Sequence, residues 1–565
     1  LPPGVQLMLF GPGSTTETQR TQSGDEKDLN VHPAPVAQLD PRHLDDTAFW
    51  DDAEARVVEA LHAYARQAGN GQQVSRRLFA DALDTGRQAL RRFGIRIPRK
   101  LNITPLLFEL ARALVHSWKL GAEGISALPG LTDVKKLAIS RLLVACIEPS
   151  YLGAPDSLPH IVLKLFNLAI RNGNSPYGAY SYVLYSGILM EIFGRIESVF
   201  RFGNLALEVI EKGDQRFLGS KINFIYGVGV RHWKWHVSED IPYLQKSFNL
   251  ASETGDLSYA SYALHHLLIN SFFSGEPLPD LIEKYANNYA LMKKFNLLNT
   301  LQSFEQFYQF IVNLHSESEE EPSLSGKIFS EREVVPEWHE TESLTVLGHY
   351  HVCRLMMLYL SGRFDEAVSA AGEGKQYLKA MMGLYFLPEF NFFHSLALIA
   401  RCRSGKFRRR DIRAVKRNQR QMKKWAVQAP DNFRAKYELV ESELNSLREG
   451  MSAQLAGYDS AIVLFEKHGF LRDEALACEL TFRFLRERGF PAIAETYLVR
   501  SLIAYKKWGC RFKSRVLEKE YRAVYNRPFT GLFENIPGRH NPGLLIDSST
   551  HFSVLFDINA IIKSS

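Results

Sequence analysis

Cysteine is scarce in this chain: Cys146, Cys353, Cys402, Cys478 and Cys510 are the five in 565 residues, and none forms a CxxC pair. That excludes a disulfide framework as the source of stability and leads us to expect a reducing, cytoplasmic setting. Long apolar runs are missing as well, so no transmembrane helix is predicted. Leu7-Met8-Leu9-Phe10 is too short for a signal-peptide core and is broken by the Gly-Pro-Gly-Ser that follows. There is no large excess of one charge, since the net value is +6. Period-two alternation is rarely sustained, which argues against strands.

Catalytic signatures are lacking too. Gly11-Pro-Gly13-Ser-Thr-Thr16 has neither the lysine nor the spacing of a phosphate-binding loop, and the Gly-Lys pairs at 326, 374 and 405 lack the following hydroxyl. No GxSxG, HRD or DFG string occurs. His232-Trp-Lys-Trp-His236 sets two imidazoles one helical turn apart, but the HExxH glutamate is replaced by Trp233; His265-His266 and His349-Tyr-His351-Val-Cys353 are equally incomplete. These read as packed or surface histidines. The expectation is no catalytic residue, no cofactor, no metal and no enzyme.

What is present is helical texture. Hydrophobic residues make up 45% and aromatics 12% of the chain, ample for a large packed core. Residues 1–45, rich in Pro, Gly, Ser and charge without apolar periodicity, read as a disordered leader. From Asp46 the pattern is helical, with Val57, Val58, Leu61 and Tyr64 on one stripe. Helices repeatedly stop at Gly and restart a few residues on: Gly362, Gly405, Gly450 and Gly489 are 43, 45 and 39 residues apart, and Gly213-Asp214 and Gly255-Asp256 are 42 apart. Gly suits the left-handed position closing one helix and Asp caps the next. A helix–turn–helix unit at that period predicts an all-α fold, an α-solenoid of stacked tetratricopeptide-like hairpins. The predicted organisation is helical block 46–314, an exposed acidic connector 315–345, helical block 346–523, and a linker with a short apolar helix in 524–565.

The strongest local anomaly is Arg401–Lys424, where twelve of 24 residues are basic and Asp411 alone is acidic. The segment carries +11, leaving −5 for the rest. Ile412, Val415, Met422 and Trp425 keep helical spacing, so the cations fall on the opposite face. Two readings stand side by side: a solvated repeat helix, or a docking surface for an acidic partner, phosphate or nucleic acid. Few aromatics interleave the cations, which argues against nucleic acid. Arg408, Arg409, Arg410, Arg413, Lys416, Arg417 and Arg420 are the candidate partner-binding residues.

Longer strings carry a family resemblance. They include Trp425-Ala426, Pro430, Asn432-Phe433, His468-Gly469-Phe470, Asp473-Glu474-Ala475, Glu479, Tyr497-Leu498, Trp508-Gly509 and Tyr521, with weaker agreement from Ala82 to Leu278. Over about residues 76–523 the chain resembles the tetratricopeptide-like region of multidomain signalling proteins. In that family a serine/threonine kinase-like domain and a STAND-type ATPase precede the repeats, and a GAF domain and often a histidine kinase follow. Ser553–Ile562 resembles the start of the helix leading into the GAF domain, and the opening Leu1 fits a piece of a longer protein. The resemblance implies a non-catalytic sensor or coupling scaffold whose partners are proteins, either the flanking ATPase and kinase domains or a separate signalling partner. The alternatives are a freestanding peptide- or protein-binding adaptor, and a small-molecule-responsive regulator with a pocket among the aromatics around Trp233 and Trp235.

Overall fold

A computed structural model describes residues 72–529 apart from 100–101, 195, 214–215, 296, 318–322, 407 and 448–451. The leader, the helical pattern beginning at Asp46, the Gly450 turn and the chain beyond Phe529 lie outside the described residues. Short turns join the helices α1 (Gln72–Arg92), α2 (Ile103–Ser126), α3 (Val134–Ala145), α4 (Ile147–Gly153), α5 (Leu158–Asn172), α6 (Pro176–Phe193), α7 (Ile196–Glu211) and α8 (Arg216–Gly229). After a loop of 3-10 turns come α9 (Ile241–Thr254), α10 (Leu257–Phe273), α11 (Leu278–Phe295), α12 (Leu298–His315), α13 (Glu331–Glu340), α14 (Leu344–Leu360) and α15 (Phe364–Gly374). The series ends with α16 (Phe386–Arg403), α17 (Arg409–Gln428), α18 (Pro430–Ser446), α19 (Ser452–Lys467), α20 (Leu471–Glu487), α21 (Pro491–Trp508) and α22 (Arg511–Tyr525). No β-strand forms among the described residues; Gly130 and Asn174 share an isolated bridge.

The turn chemistry follows the expected logic. At the α9–α10 junction Gly255 takes φ 72°, and the carboxylate of Asp256 accepts from the backbone N–H of Tyr259 at 3.2 Å, capping α10. Consecutive helices pack as hairpins, and many also touch the helix two positions on, such as α6 with α8, α14 with α16 and α18 with α20.

An open solenoid would confine contacts to neighbouring hairpins, and this chain goes further. Tyr151 meets Thr345, Asn432 bonds the backbone around Val237, His315 meets the carbonyl of Gly509, and Arg515 that of Glu317, all pairs separated by 194–198 positions. Other long-range contacts join His232 to Gly383, Phe273 to Phe386 and Phe272 to Trp508. Helices far apart in sequence therefore lie against one another. Gly275 marks how close they come: a Cβ there would sit 2.2 Å from the carbonyl oxygen of Gly469.

The apolar core has two parts. One gathers side chains from Leu83 to Val230; the other takes Ile196, Trp233, Val237 and the helices from α9 to α22, with Phe529 packed on Tyr521. The division falls near α7–α8 rather than at 315–345. Where described, that segment is not an exposed connector: Leu324, Phe329 and Trp338 are buried in the second core and 331–340 is helical. Its low hydropathy reflects the acidic outer face of α13, with Trp338 pointing inward. The second block likewise runs past residue 523, because α22 continues to Tyr525.

Candidate partner-binding surface

The run of basic residues becomes α17 and the turn before it. Val415, Gln419, Met422, Trp425 and Ala426 are buried, while Arg408, Arg409, Arg410, Arg413, Lys416, Arg417, Arg420, Lys423 and Lys424 are exposed. Helical geometry places each cation in that series on the arc opposite the core. The inner face is fixed by specific contacts. Trp425 packs on Trp233 with ring centroids 5.6 Å apart, Gln419 donates to the carbonyl of Tyr437 at 3.0 Å, and Asn418 donates to Ser395 Oγ at 3.1 Å.

Three basic residues counted with the run do not join this surface. Arg401 is buried and pairs with the equally buried Asp411 at 2.6 Å. Arg403 reaches Glu443 and Glu487, and Lys406 pairs with Asp365. The run's lone acid is thus turned inward and spent on Arg401. Among the described residues, the exposed cations of α17 have a single ion-pair contact, from Arg410 to Asp411 at 3.8 Å. The field they create is felt nearby. Burial lowers the pKa of Lys375, and Arg417 lowers it further; burial, Lys375 and Arg417 together push His394 down to about 3.

Beneath α17 lies a buried polar junction that hydropathy does not reveal. His232 Nδ1 lies 2.8 Å from Asp240 Oδ2 and Nε2 lies 3.0 Å from the carbonyl oxygen of Gly383, which also accepts from Trp233 Nε1 at 3.0 Å. Since a carbonyl can only accept, Nε2 carries a proton and a further proton sits between Nδ1 and the carboxyl. Burial raises Asp240 to about 6 despite His232. Asn432 donates to the carbonyls of His232 and Trp235 and accepts from Val237 N–H, tying α18 to the 231–240 loop. Next to it, Lys436 pairs with Glu389 and Asp473, and Arg472 pairs with the same two carboxylates; all four residues are buried. Burial alone would raise Asp473, but Arg472 and Lys436 beside it hold it below the usual range.

The histidine pairs read from sequence are packed. His265, His266 and His349 come together from α10 and α14 with centroids 5.7–6.5 Å apart, and His349 stacks on Phe386 at 4.0 Å. Among the described residues no group of three His, Cys, Asp or Glu is arranged to hold a metal ion. The aromatic pocket considered around Trp233 and Trp235 does not form at Trp233, which is wholly enclosed by Trp425, Phe433 and the Gly383 carbonyl; Trp235 lies outside, stacked by Arg231. No described helix is long and apolar enough to cross a membrane.

No protein-family model matches the chain. Over 179 residues, 31% of its length, it is 24% identical to the hybrid signal transduction histidine kinase G of Dictyostelium discoideum. The chain spans 5% of that protein's length.

Proposed function

We propose that this chain is a helical scaffold of a signal-transduction protein, receiving a protein partner on the cationic face of α17 and passing the event to the 231–240 loop packed against it. The observation that carries the reading is the double position of α17. Among the described residues its outer face presents Arg409, Arg413, Lys416 and Arg420 without an ion-pair partner, while its inner face sets Trp425 against Trp233 of the 231–240 loop. A partner that shifts α17 therefore acts on the 231–240 loop directly, through packed side chains rather than a flexible link. The distant similarity to a signal-transduction histidine kinase supports the signalling context. Within the multidomain family it resembles, this segment is the tetratricopeptide-like region between a STAND-type ATPase and a GAF domain, and it works without catalytic chemistry of its own.

The test compares the natural chain with one carrying Arg408→Glu, Arg409→Glu, Arg410→Glu and Arg413→Glu. Proteins captured from a cell lysate are quantified, and hydrogen exchange is measured on the captured complex. Reversal is expected to abolish capture in a salt-dependent way, and capture is expected to alter exchange across 229–240. Equal capture by both chains removes α17 from the reading. Capture that leaves 229–240 unchanged leaves a binder with no relay.

A further inference from the structure

The cations on α17 are arranged as well as abundant. Arg409, Arg413, Lys416, Arg420 and Lys423 follow one another at intervals of four, three, four and three residues, and Val427, 71% exposed, continues the same row. At 1.5 Å per residue, a cation recurs about every 5.3 Å along roughly 21 Å of helix. Arg410, Arg417 and Lys424, seven residues apart, form a second row beside the first. The row winds slowly around the helix, by about 20° per seven residues, holds no aromatic side chain and ends in an apolar one.

We infer that α17 takes an acidic amphipathic helix, laid along it with a stripe of carboxylates facing the arginine row and an apolar residue meeting Val427. This rests on the reading of α17 as the partner surface and names the partner's chemistry. Pitch supplies the first argument. Glutamates at alternating intervals of three and four residues on a helix repeat at the same 5.3 Å or so, and each meets one cation. Same-face residues of an extended strand repeat at about 6.8 Å, so over four intervals a strand runs about 6 Å out of register. Composition supplies the second. Single-stranded nucleic acid is held by aromatic platforms as well as charge, and the outer face of α17 has none, its one tryptophan being buried. Anionic membranes attract such cation clusters, but firm insertion needs several apolar side chains, where α17 offers Val427.

The probes are two labelled 21-residue alanine-based peptides of identical composition. One has glutamates in a single stripe ending in leucine; the other spreads them around the helix. A dT20 oligonucleotide and vesicles containing 20% phosphatidylserine are run beside them in about 50 mM salt. The striped peptide is expected to bind about tenfold more tightly than the scrambled one. Arg413→Glu/Arg420→Glu should abolish that binding, while the charge-matched Lys293→Glu/Lys294→Glu on α11 leaves it within about twofold. Circular dichroism confirms that both variants fold. Equal affinity for the two peptides overturns the helical stripe but leaves α17 as an anion-binding face. Tighter binding of dT20 or of the vesicles overturns the partner class. If no probe responds to reversal of Arg413 and Arg420, the inference and the reading beneath it both fall.

Discussion

The outer face of α17 and the junction under it are both dense in charge, but they are solved in opposite ways. At the junction, Lys436, Arg472, Glu389 and Asp473 are buried and neutralise one another over distances of about 3 Å or less. On α17, Arg409, Arg413, Lys416, Arg420 and Lys423 are exposed and, among the described residues, have no ion-pair partner. The first arrangement fixes geometry, because removing one partner strands a charge in the interior. The second contributes little to stability and leaves its valences open. A single protein thus separates the charges that hold it together from those available to something else, and the separation can be tested from either side.

The largest effect belongs to the junction. Lys436→Met leaves Glu389 and Asp473 sharing Arg472 alone and should cost about 3–5 kcal/mol in chemical denaturation. A loss below about 1 kcal/mol would mean that water or local movement rescues the carboxylates, and the junction would lose its structural role. Trp233→Phe is the next step down. It shortens the side chain between Trp425, Phe433 and Gly383 and removes the indole N–H donor, for an expected loss of about 2 kcal/mol. If the 231–240 loop is held to α17 and α18 elsewhere, that variant will melt with the wild type.

These two regions also divide what is legible in the sequence. The amphipathic pattern of α17 is local: Val415, Met422 and Trp425 repeat at helical spacing, so the cations between them point outward in any packing that buries the tryptophan. The junction is not local. Its members come from α16, α18, α20 and the 231–240 loop, and the register that brings Asn432 to His232 spans 200 positions. Hydropathy places Glu389, Lys436 and Arg472 outside because it has no information about partners. Asp473 stands out in the sequence only within a string that resembles a family, and its ionic role there is not readable. The helical turns were legible because Gly and Asp act on adjacent residues. The packing that brings Gly275 onto Gly469 was not, since it joins residues 194 positions apart and no local pattern records such a contact.

The histidine cluster sharpens the contrast between buried and exposed titratable groups. Burial lowers His265 and His349 well below the ordinary value and His266 to about 4, each further opposed to charging by its neighbours at the first two. The unfolded chain, with histidines near 6.5, binds more protons than the folded one between about pH 4 and 6.5. The contribution of these neutral imidazoles is therefore complete above pH 6.5 and is lost as pH falls toward 4. His349→Phe, which keeps a ring against Phe386, should match the wild type at pH 7 and lose less stability by pH 5. Parallel denaturation midpoints across that range would show that His349 is not among the groups responsible.

The smallest effect is the most telling about α17. Arg413→Gln/Arg420→Gln removes two exposed cations from a surface dominated by cations. Stability should change by no more than about 0.5 kcal/mol, and the change should be a gain. The gain should be largest in dilute buffer and vanish in roughly 0.5 M salt, where the Debye length falls well below the roughly 10 Å between Arg413 and Arg420 along the helix. A loss of stability instead would mean that these arginines are already satisfied within the fold, and α17 would then belong with the junction. A salt-screened gain identifies repulsion that folding leaves in place, which is the physical condition for a face whose counter-charge arrives with a partner.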